Sequence, residues 1–357
     1  MDYISAKDAA HKWGITQRRV AVLCSENRIN GASVVGNMWL IPKEAEKPID
    51  GMSLRYMNSQ NNRLKPFVKW AGGKGQLLSN IRKTYPVELG RSMNKYAEPF
   101  VGGGAVLFDI LASYELDEVY ISDINAELIN TYCIIRDNVD GLISELAKMQ
   151  SEYVPADTEV RKEYYYEKRE RFNFLKMSGN DSNNVELASL FIFLNKTCFN
   201  GLYRVNRKGL YNVPMGAYKN PCICDEDNLW AISKALQNVT VVCGDYRESK
   251  KFIDANTFVY FDPPYRPLTE TASFTSYTEG CFDDNAQVAL AKYVEHLDAL
   301  GAKVIVSNSD PKNVDSEDNF FDVLYSAHKI YRLQATRMIN SNSAARGRIN
   351  ELLIVNY

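Results

Sequence analysis

The run Phe258-Val259-Tyr260-Phe261-Asp262-Pro263-Pro264-Tyr265 decides the fold of this chain. Its first four residues are β-branched or aromatic, which is typical of a buried strand. The two prolines then make a stiff turn, because they fix φ and remove two backbone donors. Four more short runs of this kind occur, and most end in a carboxylate, a polar residue or a Gly-rich turn: residues 96–100, 119–123, 239–243 and 303–307. Strands that alternate with helical segments predict an α/β fold, a Rossmann-like parallel sheet with functional residues at the carboxyl ends of its strands.

A long interruption separates the first strands of this sheet from the later ones. Residues 131–238 are largely helical in pattern and too long for a loop, so they predict an inserted helical subdomain. The catalytic domain then consists of residues 64–130 and 239–357. A chain of 357 residues also exceeds the usual size of one hydrophobic core, so a further small unit is expected.

Residues 1–47 have the pattern of that small unit. A helix capped by Ser5, a turn, a second helix over residues 17–27 and a hairpin around Gly36-Asn37 follow one another. This order is that of a small winged helix-turn-helix and resembles the excisionase/MerR-like DNA-binding domains. In such domains the second helix meets DNA, so Arg18 and Arg19 are the expected contacts. A role in packing alone is the alternative that the pattern leaves open, and polar residues 48–63 are predicted to form a linker.

The composition excludes several classes of protein. No apolar run approaches the roughly 20 residues that cross a bilayer, and the start of the chain has no signal-peptide pattern, so we expect a cytoplasmic protein without a membrane partner. The seven cysteines are scattered, and the three histidines lie near no cysteine pair. A metal site is therefore not expected.

Positive charge is unevenly distributed, although the net charge is only −2. Basic residues dominate three stretches, residues 55–95, 196–219 and 331–350, which together contain a single acidic residue, Glu88. Acidic residues instead crowd residues 225–318. If the fold brings the three basic stretches together, they form one face that binds nucleic-acid phosphates.

The turn after the deciding strand has the chemistry to hold an exocyclic amine of a base. Such an amine carries two N–H donors and a lone pair that is delocalised into the ring. The carboxylate of Asp262 and the carbonyl of Pro263 can accept the two hydrogens, which frees the lone pair, while Pro264 stiffens the turn. Tyr265 would stack on the base, which must first be flipped out of the duplex.

A Gly-rich turn follows the first predicted strand, in the run Glu98-Pro99-Phe100-Val101-Gly102-Gly103-Gly104-Ala105. Its glycines allow a close approach to an adenosyl group. Asp123 ends the next strand about 20 residues later, where an acid meets ribose hydroxyls in dinucleotide folds. Leu107 replaces the last glycine of G-x-G-x-x-G, which disfavours a cofactor with a pyrophosphate.

The run Lys69-Trp70-Ala71-Gly72-Gly73-Lys74 imitates a phosphate-binding loop but lacks two of its residues. Val68 stands at the first glycine, and Gly75 stands where a Ser or Thr would hold magnesium. ATP is therefore not the expected ligand. The ring of Trp70 and the ammonium of Lys74 suit an adenine ring and a carboxylate, both of which S-adenosylmethionine contains.

Taken in order, these motifs resemble the DNA adenine methylase (Dam) family, the D12 class of N6-adenine-specific DNA methyltransferases, and the resemblance runs from residue 64 to residue 357. It implies an S-adenosylmethionine-dependent methyltransferase that acts on double-stranded DNA, with the target adenine held by residues 262–265. The cofactor contacts that it implies are Trp70, Ala71, Lys74, Glu98, Phe100, Gly102, Gly104, Asp123 and Asp262.

The same resemblance identifies residues 199–214 as the target-reading hairpin. It implies that Phe199 enters the duplex, and that a GATC-type site is contacted by Asn200, Leu202, Arg204 and Pro214. The chemistry is suitable, because Arg204 can bond guanine bidentately and an aromatic ring can fill the space left by a flipped base. Lys219 is the expected phosphate contact. The chain has Lys196 where the family often has Arg, and Phe199 where it often has Tyr.

Three alternatives remain open at this point. A cytosine-N4 methyltransferase needs the same amine chemistry, but those enzymes more often carry Ser at the position of Asp262. An RNA or free-nucleotide methyltransferase is less compatible with the target-reading segment. A DNA-binding regulator on an inactive scaffold is the third. We expect a monomer, and the sequence leaves open whether a cognate restriction enzyme acts separately.

Overall fold

The computed structural model describes residues 3–13, 17, 20, 21, 24, 29, 31–35, 38–45, 64–179, 184–266, 282–336 and 348–357. The chain divides into two compact units, Met1–Arg63 and Leu64–Tyr357. Each unit is built around its own buried apolar residues.

The small unit contains helix α1 (Ala6–Trp13) and an antiparallel sheet in the order β1 (Tyr3–Ser5), β3 (Met38–Pro42), β2 (Ser33–Val35). The cap on α1 is confirmed, because the hydroxyl of Ser5 accepts the backbone N–H of Asp8 at 3.2 Å. The hairpin is confirmed as well, since β2 and β3 pair with each other.

The rest of the predicted helix-turn-helix cannot be judged in the same way. The turn, most of the second helix, and the linker over residues 48–63 lie outside the described residues, and so do Arg18 and Arg19. The winged helix-turn-helix therefore stays a prediction.

A seven-stranded sheet forms the centre of the large unit, in the order β6-β5-β4-β7-β8-β10-β9. Five strands are parallel: β4 (Lys95–Glu98), β5 (Glu118–Asp123), β6 (Val239–Cys243), β7 (Thr257–Phe261) and β8 (Lys303–Ser309). All five correspond to predicted strands. Two antiparallel strands that the sequence reading missed complete the edge: β9 (Lys329–Thr336) and β10 (Arg348–Val355). The result is a mixed α/β fold with a largely parallel sheet, consistent with a Rossmann-like methyltransferase.

Alternate residues of the strands face opposite layers of helices. Tyr260 of β7 joins one buried cluster, whereas Val259 and Phe261 join the other. Because both faces of the sheet are covered at β7, residues 258–261 of that strand are all apolar rather than alternating. Among the described residues of the large unit, the α-helices are α2 (Leu78–Ile81), α3 (Ala105–Ser113), α4 (Ala126–Asp137), α5 (Val139–Tyr153), α6 (Thr158–Met177), α7 (Val185–Thr197), α8 (Glu226–Ala235), α9 (Asp284–Ala299) and α10 (Phe320–Leu324).

The helical segment after β5 packs directly on the sheet. Helix α7 lies against α4, α5 and α6, and its apolar side chains belong to the same buried cluster as Tyr96 and Phe258 of the sheet. The segment thus shares a hydrophobic core with the parallel strands. Its division from the catalytic domain as a subdomain stays a prediction.

The order of the strands reverses between β4 and β7, which are neighbours in the sheet although β5 and β6 lie between them in sequence. Ligands of open α/β sheets bind at such a switch point, outside the carboxyl ends of the strands. Glu98 ends β4 and Asp262 follows β7, so both lie at this position.

Candidate active site

Asp262 is the centre of a buried polar network at the switch point. Its Oδ2 lies 2.6 Å from the Nζ of Lys74, and its Oδ1 accepts the hydroxyl of Ser307 at 3.2 Å. Burial raises the pKa of Asp262, while the charge and hydrogen bond of Lys74 oppose that shift. The side chain of Lys74 is 3% exposed and that of Asp262 is 20% exposed, so the carboxylate faces outward and the ammonium lies behind it.

Lys74 has contacts that its sequence motif did not predict. Besides Asp262, its ammonium donates to the carbonyl of Gly72 at 2.7 Å and lies 4.8 Å from the ring centroid of Tyr265. A buried lysine needs such partners, because an uncompensated charge in the interior is costly. Its expected contact with a cofactor carboxylate stays a prediction. In the structure Lys74 contacts Asp262 and Tyr265, and it helps to hold both side chains in place.

The Asp-Pro-Pro-Tyr turn is held from the side by neighbouring elements. The amide of Gln287, on α9, donates to the carbonyl of Pro264 at 3.1 Å. Asn308, on β8, donates in turn to Gln287 at 3.1 Å, and both amides are buried. Because the carbonyl of Pro264 is used in this way, Pro263 remains the candidate for the second acceptor of an amine.

Glu98 is a fully buried carboxyl group at the end of β4. It accepts a hydrogen bond from the hydroxyl of Tyr96 at 2.6 Å. Burial raises the pKa of Glu98 to about 8; the hydrogen bond from Tyr96 lowers it, and the nearby Asp262 raises it further. Glu98 therefore carries its proton at neutral pH and can donate a hydrogen bond.

Asp123 connects the end of β5 to the Gly-rich turn. Its Oδ2 accepts the backbone N–H of Gly102 at 3.1 Å, and its Oδ1 accepts that of Asn125 at 2.9 Å. Burial raises the pKa of Asp123, and these backbone donors oppose the shift. The acid expected to meet a ribose thus also orders the turn that would receive the adenosyl group.

The two glycines of the turn are required by the protein's own packing. Gly102 has a φ of +48° and Gly104 a φ of +74°, where other residues are strained. A Cβ on Gly102 would lie 2.7 Å from Cδ1 of Trp70, and one on Gly104 would lie 2.5 Å from the hydroxyl of Tyr132. From the sequence, these glycines were expected only to allow a close approach of the cofactor. The packing of Trp70 and Tyr132 against them was not predicted.

The aromatic residues expected near the cofactor have protein partners. Trp70 stacks on Tyr203, with ring centroids 5.6 Å apart, and Phe100 stacks on Tyr246 at 5.3 Å. Ala71 is exposed beside Trp70. Tyr203 belongs to the predicted target-reading segment, so the structure brings that segment against the Trp70 loop.

Residues 199–214 form a hairpin, although they contain no long strand. Bridges between Cys198 and Met215 and between Val205 and Tyr211 join its two arms. Phe199 is 52% exposed, and its backbone N–H donates to the carbonyl of Pro214 at 2.9 Å. Two residues named for base contact are therefore neighbours at the base of the hairpin.

The other hairpin residues that are expected to contact bases are also accessible. Leu202 is 37% exposed, and Asn200 has a φ of +57°, the left-handed region that Asn tolerates better than most residues. The guanidinium of Arg204 is exposed, and its Nε donates to Oδ1 of Asn212 at 2.8 Å. Lys219 is exposed beyond the hairpin.

Comparison with known proteins identifies the family. Residues 70–339 match the model of the D12 class N6 adenine-specific DNA methyltransferases. The chain belongs to this family.

Three relatives of this D12 methyltransferase agree with that assignment. It is 52% identical over 296 residues to the Type II methyltransferase M.MjaIII of Methanocaldococcus jannaschii, covering 82% of this chain and 99% of the relative. It is 38% identical over 313 residues to the Type II methyltransferase M1.LlaDCHI of Lactococcus lactis, covering 86% and 99%. It is 33% identical over 292 residues to the DNA adenine methylase of Haemophilus influenzae, covering 82% and 93%. The chain is an adenine-specific DNA methyltransferase, and the alternatives left open by the sequence are not favoured.

Two residues that lie at the site of this methyltransferase were not among the site residues predicted from the sequence. Asn195 accepts the backbone N–H of Lys69 at 2.8 Å and donates to the carbonyls of Lys69 at 2.8 Å and Gly201 at 2.9 Å. It thereby joins the Trp70 loop to the hairpin. Ile124, directly after Asp123, is 72% exposed. The signal in the sequence was an apolar residue directly after the acid that ends a strand.

The predicted phosphate-binding face of the methyltransferase needs correction. Several basic residues that contributed to it form ion pairs within the protein: Lys74 with Asp262, Arg82 with Asp109, Lys95 with Asp254, and Arg332 with Asp310 and Asp322. These charges support the fold and are not all available to DNA. The sequence count therefore overestimated the basic face.

Two further searches of the described residues gave negative results. No helix there is long and apolar enough to cross a bilayer. Within the same residues, no three His, Cys, Asp or Glu side chains form a group that could hold a metal ion.

Proposed function

We propose that this adenine methyltransferase uses S-adenosylmethionine as its methyl donor and modifies the adenine of a GATC-type site in double-stranded DNA. The observation that carries the proposal is the position of Asp262. It follows β7 at the switch point, is fixed by Lys74 and Ser307, and remains partly exposed.

The carboxyl edge of the sheet has the features that an adenosyl group requires. Asp123 uses its oxygens for two backbone donors, and a carboxylate offers about four acceptor positions, so the ribose hydroxyls can still be bound. Ile124 presents an exposed apolar surface for the adenine ring. The other residues that would hold the cofactor are Trp70, Ala71, Lys74, Glu98, Phe100, Gly102 and Gly104. When bound, S-adenosylmethionine supplies an activated methyl group on a sulfonium.

Asp262 and Pro263 act on the amine of the flipped adenine. The carboxylate of Asp262 accepts one N6 hydrogen and the carbonyl of Pro263 accepts the other, which draws the nitrogen towards tetrahedral geometry and frees its lone pair. Burial raises the pKa of Asp262, and the ammonium of Lys74, 2.6 Å away, opposes that shift and favours the charged carboxylate. After transfer the amine loses a proton, which the carboxylate of Asp262 can accept.

Tyr265 provides the surface on which the flipped base stacks. Stacking of a base on an aromatic side chain contributes about 1–3 kcal/mol. Lys74 and the neighbouring strands hold the Tyr265 ring in place before the base arrives. Such positioning reduces the entropy that the base must lose on binding.

The hairpin over residues 199–214 reads the sequence, as part of a target-recognition subdomain formed by residues 131–238. Phe199 fills the gap left by the flipped base, and Arg204 bonds a guanine while Asn212 orients its guanidinium. Asn200, Leu202 and Pro214 contact the remaining bases, and Lys219 contacts a phosphate. Residues 1–47 form a winged helix-turn-helix that provides a second DNA contact.

The proposal is tested by incubating unmethylated DNA with the enzyme and S-adenosylmethionine, then mapping modified bases at single-nucleotide resolution. We expect N6-methyladenine in GATC sites. Asp262→Ala is expected to abolish nearly all transfer, because the amine loses its acceptor. Methylation in a different sequence would refute the GATC assignment, and wild-type turnover by Asp262→Ala would refute the mechanism.

Cofactor binding to Asp262→Asn is the matched control for this experiment. Asn keeps the shape of the side chain and removes its charge. Because its amide oxygen can still accept one N6 hydrogen, Asp262→Asn is expected to keep more of the transfer rate than Asp262→Ala, and binding of S-adenosylmethionine by calorimetry shows that the variant is folded.

A further inference from the structure

The edge hairpin of β9 and β10 brings one carboxylate to the active site from outside the known motifs. Glu351 of β10 lies opposite Ser309, at the carboxyl end of β8, and opposite Leu333 of β9. Its Oε2 accepts the hydroxyl of Tyr265 at 2.7 Å. Glu351 thus contacts the ring that the proposed function assigns to base stacking.

This contact fixes the orientation of the Tyr265 ring from its far end. At the near end, Tyr265 is attached to two prolines whose own φ angles are fixed. A phenol that also donates to a carboxylate is restrained at its far end as well, and a charge-assisted hydrogen bond is about twice as strong as a neutral one. The ammonium of Lys74, 4.8 Å from the ring centroid, adds a further constraint.

The hydroxyl of Tyr265 has no other evident purpose in the proposed mechanism. A ring that only stacks on a base needs no hydroxyl, and Phe would serve equally well. Burial raises the pKa of Tyr265, so the hydroxyl keeps its proton and remains a donor. The bond to Glu351 accounts for a Tyr at this position.

We propose that Glu351 is a positioning residue that holds the Tyr265 ring in the plane on which the flipped adenine stacks. The inference rests on the proposed function of Tyr265. It assigns a role in positioning the base to the antiparallel edge of the sheet.

The first test needs no substrate. The free energy of unfolding is measured for the full chain, Tyr265→Phe, Glu351→Ala and the double variant, by chemical denaturation. We expect the two single losses to be sub-additive, since each variant removes the same bond. Strictly additive losses would show that the two side chains are not coupled, and would overturn the proposal.

The second test is single-turnover methyl transfer to phage DNA that lacks N6-methyladenine, with saturating S-adenosylmethionine. Glu351→Ala and Tyr265→Phe should each lose roughly tenfold in rate, and the double variant should lose no more. Glu351→Gln should retain most of the rate, because its amide oxygen still accepts the bond. The Kd for S-adenosylmethionine, measured separately by calorimetry, should stay unchanged in all of them.

The pair Tyr164–Glu152 provides a matched control. The hydroxyl of Tyr164 donates to Oε2 of Glu152 at 2.8 Å, on the exposed surface of α5 and α6. Glu152→Ala removes the same kind of bond and should leave the rate unchanged. A wild-type rate for Glu351→Ala, or a Glu351→Gln enzyme as slow as Glu351→Ala, would overturn the positioning role.

Tyr265→Ala separates this inference from the proposed function. If Tyr265→Ala transfers methyl groups at the wild-type rate, base stacking on Tyr265 is wrong and the inference fails with it. If Tyr265→Ala is slow while Glu351→Ala is fast, stacking stands and only the role of Glu351 is refuted.

Discussion

Glu98 illustrates how burial sets the protonation state of a single residue in the site. Its ordinary pKa is 4.5 and its pKa in the folded protein is about 8. Between these values the folded protein holds a proton that the unfolded chain has released, so raising the pH favours unfolding. The contribution to stability is complete below 4.5 and is lost as the pH rises through 8.

Glu98→Gln is therefore expected to flatten part of this pH dependence. An amide does not titrate, so the variant lacks the decline in unfolding free energy that Glu98 causes between about pH 4.5 and 8. Chemical denaturation of both proteins at several pH values measures the difference. Parallel curves for the two proteins across this window would contradict the raised pKa.

At this scale the sequence predicts the residues better than it predicts their partners. Asp262 and Tyr265 were recognisable because two prolines after an apolar strand are unusual and chemically specific. The pairing of Asp262 with Lys74 joins residues 188 positions apart. Only the order of the strands brings them together, and local sequence pattern contains no information on that order.

At the scale of elements, the parallel strands were predictable and the antiparallel edge was not. A short apolar run that ends in an acid or a glycine indicates a strand buried on both faces. Strand β9 instead mixes charged and apolar residues. Strand β10 ends in an apolar run, but its sequence does not show whether the strand is parallel or antiparallel to its neighbours. No sequence motif assigns a role to Glu351, so its contact with Tyr265 could not be predicted from the sequence.

The hairpin over residues 199–214 supports a prediction about specificity. Arg204→Ala should cost about 1–3 kcal/mol of binding and relax the preference for one guanine, because a bidentate base contact is lost. The exposed Lys219 is the matched control, since Lys219→Ala removes a cation outside the hairpin. It should weaken binding to all sequences alike and lower the dependence on salt.

Competition between duplexes that differ at one base pair of the site distinguishes these outcomes. The ratio of methylation rates on the two duplexes should fall for Arg204→Ala and stay constant for Lys219→Ala. An Arg204→Ala enzyme with unchanged site preference would remove Arg204 from sequence reading and leave Asn212 as its structural partner only.

At the scale of the whole molecule, the match to the family model lies outside residues 1–63. The family model matches residues 70–339, and the large unit begins at Leu64. The alignment with the relative from Methanocaldococcus jannaschii includes 99% of that relative but only 82% of this chain. That relative, a Type II methyltransferase, therefore has no counterpart for the part of this chain that lies outside the alignment.

Residues 1–63 are therefore expected to affect DNA binding and not the chemical step. A flexible linker of about 16 residues spans roughly 20–25 Å, which lets a second DNA-binding unit reach the neighbouring duplex. Tethering raises the local concentration of DNA, so removing residues 1–63 should weaken DNA affinity and processivity. Single-turnover methyl transfer with saturating DNA should stay at the rate of the full chain.

The dependence of DNA affinity on salt decides what the small unit contributes. If Arg18 and Arg19 neutralise phosphates, the full chain releases more counterions on binding than a variant that starts at Leu64, and its affinity falls more steeply with salt. Replacing both arginines with Ala in the full chain should reproduce the shallower slope while leaving the unit folded. Equal affinities and equal slopes for all three proteins would mean that residues 1–63 do not bind DNA, and would assign them to protein contacts.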